Sequence, residues 1–378
     1  MKSLYRILIS IFFIFSTVTL VKTVYVNRQL FTEVFNPYWY KYKFDHSQWI
    51  ITNKNKVTIS DADLYSHMAY EYVSGIDPTT QNFEVPPLSK YLIGASILWF
   101  YNQRAISLIV GILCLVLVFY LTLTITRSAL AGLLAVSLTQ INWLFVDQFL
   151  NAPQLEIFQL FFLLVFILFY SLYEKKQRLR YFIVAGIAAG AFTMIKFFFV
   201  HYLLIIALLT GYCLLTKKKW PAIISQLAKI SLLIMVMFFT YYIRFFLLGG
   251  SILQLALVQK WILGFYFLHS NIHTAKILGS YIPLIFLNRW QFWSDGYPVI
   301  HYQQWSITWP IVYLAGITSL IGLYFQKRFQ KNTTYYLLGV FFILYSLFLF
   351  VTPVWPRYLL LLFVPLNITI AAFFNPGK

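Results

Sequence analysis

About ten stretches of roughly 20 apolar residues follow one another along this chain, and each is long enough to cross the hydrocarbon core of a bilayer as a helix. They lie near 4–24, 105–126, 128–146, 153–173, 181–199, 200–216, 222–247, 306–325, 333–354 and 357–374. Lipid offers the backbone no hydrogen-bond partners, so such runs must satisfy their own amides and carbonyls as α-helices. The expected fold is an all-α polytopic membrane protein. Composition agrees: only 11% of the 378 residues are charged, against about 25% in soluble domains. Cys114 and Cys213 sit inside apolar runs, where they read as small core residues with no disulfide or metal framework. The net charge of +18 is not matched by any basic polar domain, so nucleic acid is not expected as a partner.

Charge instead sets the topology. The segments Glu174–Arg180, Lys217–Lys219 and Lys327–Arg328 fall on one side of the membrane, together with Lys2 and Arg6. Cytoplasmic loops carry the excess of Lys and Arg, which makes this side cytoplasmic and places the N-terminus there. The first apolar run is long enough to span and lacks a small-x-small cleavage site before Lys22, so it reads as a retained helix.

The acids segregate to the other side. Of the eleven Asp and Glu residues, only Glu174 falls on the cytoplasmic side in this topology. Glu33, Asp45 and Asp77 suit a solvated outer loop. Asp147 and Glu156 flank a short connection beside membrane helices, where an unpaired carboxylate is costly. Two outer loops are long, at about 25–104 and 248–305. In the first, Ser60 is placed to cap a helix with Asp61 and Asp63 in its first turn, a position that the helix dipole favours. A second short apolar helix, 88–101, is expected to lie in the interface. Together these put an acid-base site at the membrane surface. The second loop carries Trp261, Trp290, Trp293 and Trp305, which suit an interfacial belt and also suit sugar rings.

Several motifs appear in order over most of the chain. Asp61 is followed four residues on by Tyr65, and Val85-Pro86-Pro87-Leu88-Ser89-Lys90 comes next. Further along are Leu150-Asn151-Ala152-Pro153-Gln154-Leu155-Glu156, the stretch from Gly190 to Lys196, and Trp355-Pro356-Arg357-Tyr358. In this order the chain resembles the GT-C superfamily of membrane glycosyltransferases. The pattern is nearest the protein O-mannosyltransferase and aminoarabinose-transferase (ArnT-like) branch. There are departures: Val85 stands where those proteins usually have His, Ala62 where the motif often has Glu, and Asn151 where the second loop usually has Asp. Asp147 or Glu156 would then be the substitute acid.

The resemblance implies a single GT-C transmembrane unit over 1–378. It also implies an inverting transfer of sugar from a polyprenyl-phosphate donor to a glycan, lipid or protein acceptor. The site would be extracytoplasmic, at an inner or plasma membrane. Such a reaction needs a base for the acceptor proton, and Asp61 or Asp63 would supply it, with His67 in support. It needs cations for the departing phosphate. Lys90, Lys196, Arg357 and Arg289 are the main candidates, with Arg104, Arg244 and Lys260 behind them; Lys54 and Lys56 read as solvated loop charges. Asp147, Asn151 and Glu156 would meet the acceptor. With Asp61, the two acids Asp147 and Glu156 could also form an oxygen set for Mg or Mn, although nothing in the spacing requires a metal. The alternative reading is a transporter or flippase that uses the same cations to hold an anionic lipid-linked substrate without chemistry.

Overall fold

A computed structural model describes residues 2–50, 57–151, 153–268, 277–291 and 298–374. Lys54, Lys56, Trp293 and Asp295 lie outside the described residues. The chain is built of helices: α1 Lys2–Val26, α2 Arg28–Thr32, α3 Pro37–Asp45, α4 Asp61–Val73, α5 Leu88–Phe100, α6 Ala105–Thr126, α7 Ala129–Ile141, α8 Trp143–Leu150 and α9 Glu156–Lys176. They continue as α10 Leu179–Thr193, α11 Phe198–Leu215, α12 Trp220–Tyr241, α13 Ile243–Leu247, α14 Ile252–Leu268, α15 Tyr281–Leu287, α16 Thr308–Phe325, α17 Thr333–Val351 and α18 Leu360–Phe374. Among the described residues the only extended pairings are two isolated bridges, Ser47 with Val57 and Trp290 with Ile300.

Among the described residues eight helices are long and apolar enough to span, or nine if α7 and α8, bent by 67° at Asn142, are one broken span. This is a multi-pass integral membrane protein. The run near 181–199 does not form the expected span. Helix α10 stops at Thr193, and Phe197 adopts a left-handed φ of +47° before α11 begins. Its 15 residues rise about 22 Å, short of the ~30 Å of hydrocarbon. The run near 222–247 also breaks, after Tyr241.

The core forms where α9 packs on α10 and α6, α6 on α7, and α18 on α16 and α7. The basic segments meet at one end of the bundle. Lys218 pairs with Glu174 at 2.7 Å, and the Tyr212 hydroxyl reaches Glu174 at 3.1 Å and Thr333 at 3.3 Å. Tyr5 meets Ser128 at 3.3 Å, and Ile125, Leu323, Tyr335 and Ala372 share one cluster. Glu174, the acid assigned to this side, thus neutralises part of its lysine excess.

The opposite end carries α2 to α5. Asn36 caps α3 ahead of Pro37. The Ser60 hydroxyl accepts the Asp63 amide at 3.1 Å, so α4 starts at Asp61 as its sequence predicts. Helices α4 and α5 touch backbone to backbone at Gly94, where an added Cβ would lie 2.8 Å from the Ala69 carbonyl oxygen and 2.3 Å from Val73. In the second long loop Trp290 and Trp305 donate their indole N–H groups to the carbonyls of Val354 and Ile285, at 2.7 and 2.9 Å. These two are structural pins in addition to any belt role. Trp261 remains half exposed and stacks on Phe265.

Candidate active site

Four charged side chains from four distant parts of the chain converge at the end opposite the basic loops. Glu156 is the first residue of α9, where its carboxylate complements the helix N-terminus. Lys196 stands in the break between α10 and α11. Arg357 belongs to a short 3-10 turn, Pro356–Leu359, that leads into α18. Asp61 opens α4.

The geometry is that of one network. Glu156 Oε1 accepts from Lys196 Nζ at 2.8 Å and lies 3.1 Å from Arg357 Nε. One terminal nitrogen of Arg357 donates to Gln154 Oε1 at 2.9 Å, and the other binds Asp61 Oδ2. The Lys196 ammonium also lies 3.8 Å from the centroid of the Tyr358 ring, and the Arg357 guanidinium lies over Trp355. Tyr345 holds the same turn through the Tyr358 carbonyl, at 3.0 Å. Two acids face two cations, so the network is neutral as a whole.

Burial separates the members. The Glu156 side chain is 1% exposed, Lys196 6% and Arg357 14%, whereas Asp61 is 40% exposed. A charge as enclosed as Glu156 is tolerable only because both cations share it. The break in α10 follows from the same demand: with Lys196 near the protein interior, its ammonium has to be turned to a carboxylate or carried to water. Asp61 is the member whose carboxylate can still be reached.

The other expected site residues stand outside this network of contacts, although Asp147 lies close enough to interact with Arg357 and Glu156. Asp63, two positions from Asp61, pairs with Lys43 at 3.0 Å on the α3 side of α4. His67 is buried against Phe44 at 4.8 Å between ring centroids. Burial, reinforced by Lys41 and opposed by Asp45, lowers its pKa from 6.5 to about 4, so at neutral pH it is uncharged. Asp147 is nearly buried and accepts a hydrogen bond from Asn151, so these two complete each other at the end of α8. Tyr65, one turn along α4 from Asp61, is buried, and burial pushes its phenol well above the usual value.

Lys90, expected at the lipid phosphate, is fully buried. Its ammonium donates to the Tyr72 hydroxyl at 3.2 Å, to the Val85 carbonyl at 3.0 Å and to the Asn82 carbonyl. An ammonium has three N–H bonds, and here two tie the 82–87 segment to α5 and the third ties α4 to it. Burial lowers its pKa to about 7, partly opposed by Glu84. Arg104 is likewise committed, to Glu33 at 3.0 Å and the Leu30 carbonyl. Arg244 donates twice to the Gly75 carbonyl, at 3.0 and 2.8 Å. Arg289, just past α15, and Lys260, on α14, are exposed.

The proposed oxygen set for Mg or Mn does not fit these residues. Asp61 and Glu156 each give an oxygen to Arg357, and Asp147 gives one to Asn151. Among the described residues no three His, Cys, Asp or Glu side chains gather as a metal site would require. The arrangement is an ion-pair network rather than an oxygen cage.

Sequence reasoning missed Gln154, a neutral residue whose role exists only because Arg357 folds back on it. It also treated Glu156 as an acceptor ligand, whereas the structure makes it the anchor of two cations. The signal was present: Glu156 and Lys196 are two charges in apolar surroundings, and such charges pair.

Residues 84–243 match the model of the family described as dolichyl-phosphate-mannose-protein mannosyltransferase. Among curated proteins none matches the sequence. Among solved structures, ArnT from Cupriavidus metallidurans in the apo state superposes with a TM-score of 0.57 at 14% identity, over 83% of this chain and 55% of that one. The same protein bound to undecaprenyl phosphate superposes with a TM-score of 0.55 at 14% identity, over 95% and 60%. The chain has a GT-C fold. An Archaeoglobus fulgidus oligosaccharyltransferase is matched with a TM-score of 0.49 at 14% identity, over 95% of this chain and 50% of that one. The chain thus spans a little over half the length of the ArnT structures. Within the GT-C fold, the matched 84–243 segment takes in Glu156 and Lys196, while Asp61 and Arg357 lie outside it.

Proposed function

We propose that this GT-C protein is an inverting glycosyltransferase that takes its sugar from a polyprenyl-phosphate carrier. The observation that carries the reading is the Asp61–Arg357 contact: an accessible carboxylate and a guanidinium, side by side, on a frame of buried charges. An acceptor hydroxyl or similar nucleophile gives its proton to Asp61 as its lone pair attacks the anomeric carbon. The new bond forms on the face opposite the carrier, and the bond from the anomeric carbon to the phosphate oxygen breaks. Its electron pair leaves with the phosphate, whose charge rises from −1 to −2. Arg357 then faces more negative charge than in the ground state, which is the condition for a cation to lower the barrier.

Arg357 can meet phosphate through two parallel N–H bonds. Lys196 lies behind it, and exposed Arg289 is the further candidate at the rim. The bound undecaprenyl phosphate of the C. metallidurans protein supports a lipid-phosphate donor for a chain of this fold. The gathering of basic segments at the far end supports a cytoplasmic N-terminus and an extracytoplasmic site, in a cell inner or plasma membrane. The acceptor is a glycan, a lipid or a protein hydroxyl.

Transfer of labelled sugar from a panel of polyprenyl-phosphate sugars tests the reading, in membranes carrying wild type or Asp61→Ala. Loss of at least about 100-fold on removing a general base is expected, with the protein still inserted. Turnover that survives the substitution removes Asp61 from the chemistry.

A further inference from the structure

Three groups surround the Arg357 guanidinium in the structure: Glu156 Oε1 lies 3.1 Å from Nε without hydrogen-bonding it, one terminal nitrogen donates to Gln154 and the other to Asp61. The guanidinium has five N–H donors, but its side chain is only 14% exposed, so a phosphate arriving from outside competes with the partner that faces water. Burial decides which one yields. Glu156 is 1% exposed and, without Arg357, would be held by Lys196 alone in an enclosed site, which is costly. Gln154 is only partly exposed and sits beside it. Asp61 is 40% exposed, so water or an acceptor can take over its solvation when the contact opens.

The same contact occupies Asp61. Its Oδ2 is held by the guanidinium while the pair is closed, which leaves Oδ1 as the open oxygen. We propose that Asp61 and Arg357 form a donor-released latch: the carrier phosphate takes the guanidinium face that Asp61 holds, and so frees Oδ2 and returns both carboxylate oxygens to the acceptor. The proposal rests on the lipid-phosphate reading above. Its consequence is that the complete carboxylate becomes available only when a donor is in place. The frame of Glu156, Lys196 and Gln154 keeps Arg357 stationary during the exchange, so that Asp61 alone changes partner. After transfer, the departing phosphate holds the arginine until it leaves, and the pair then closes again.

Equilibrium binding of undecaprenyl phosphate to the full chain in detergent tests this, with undecaprenol as the neutral control. If Asp61 competes with phosphate, Asp61→Asn tightens binding about fivefold, the scale of one partly exposed ion pair. Asp63→Asn removes the same charge two residues away, but its carboxylate pairs with Lys43 instead, and it leaves affinity unchanged. In an Arg357→Gln background the Asp61→Asn gain disappears. Equal effects of Asp61→Asn and Asp63→Asn would overturn the latch while leaving the donor class intact, and this comparison stands even if Arg357→Gln fails to fold. Failure of wild type to bind the phosphate, or equal binding of undecaprenol, would instead remove the lipid-phosphate reading, and the latch with it.

Discussion

Glu156 illustrates how one buried residue holds a cluster of charges together. It shares a single oxygen between Lys196 and Arg357 at 2.8 and 3.1 Å. Glu156→Gln leaves two enclosed cations with a neutral neighbour, a change of about 3–5 kcal/mol when one partner of a buried pair is lost. A fall in thermal unfolding temperature in detergent is expected, along with loss of transfer; unchanged stability would show that the pair is hydrated. His67 carries a different prediction. Its folded pKa of about 4 lies below its ordinary 6.5, so the unfolded chain binds the extra proton first. The contribution is therefore whole above about pH 6.5 and is lost as pH falls through about 4. His67→Phe should flatten that part of the stability–pH curve. Thermal unfolding measured between pH 7 and 4 reads the difference, and parallel curves for the two proteins would refute it.

At the scale of elements, the position of Asp61 depends on how α4 lies against α5. Gly94 has no room for a side chain beyond hydrogen, because the Ala69 carbonyl oxygen would be 2.8 Å from a new Cβ. Gly94→Ala must push the helices apart, an overpacking that costs about 1–3 kcal/mol. We expect reduced transfer together with reduced stability, from a residue far from the chemistry. A Gly94→Ala protein with wild-type stability and turnover would show that α4 need not be held this close. The break after α10 is the second decisive element. It shortens what reads as a span and turns Lys196 toward Glu156. Continuous helix through Lys196 would instead leave the ammonium on the helix flank.

The whole molecule is polarised: basic segments at one end, the Asp61–Arg357 network at the other. Lys176→Cys and Tyr38→Cys, at exposed positions of the two ends, should be labelled from opposite sides of the membrane by an impermeant maleimide. The native Cys114 and Cys213 are buried and give little background. Labelling of both from one side would overturn the topology. The expected outcome is Lys176→Cys protected in intact cells and Tyr38→Cys modified.

Much of this polarity is legible in the residues alone. Runs of about 20 apolar residues dictate spanning helices, because lipid satisfies no backbone group. The placement of Lys and Arg gathers the basic segments at one end, and Ser60 with Asp61 and Asp63 announces a helix start, since capping is local chemistry. Asp61, Lys196 and Arg357 stood out as charges at apolar margins. What a linear reading could not decide is which of them meet. Lys90 and Arg357 look alike in sequence, each a cation beside proline at the outer end of an apolar run. Folding surrounds Lys90 with two carbonyls of its own loop and the Tyr72 hydroxyl of α4, and gives Arg357 to partners about 200 and 300 positions away. Asp61 and Asp63 differ by two residues, and only the packing of α3 and the Pro356–Leu359 turn against α4 sends one to Lys43 and the other to Arg357. Hydrophobicity and capping act over a few residues and are written in order along the chain. Pairing between distant charges is set by three-dimensional proximity and by which groups lose water, and that is settled only when the helices have packed.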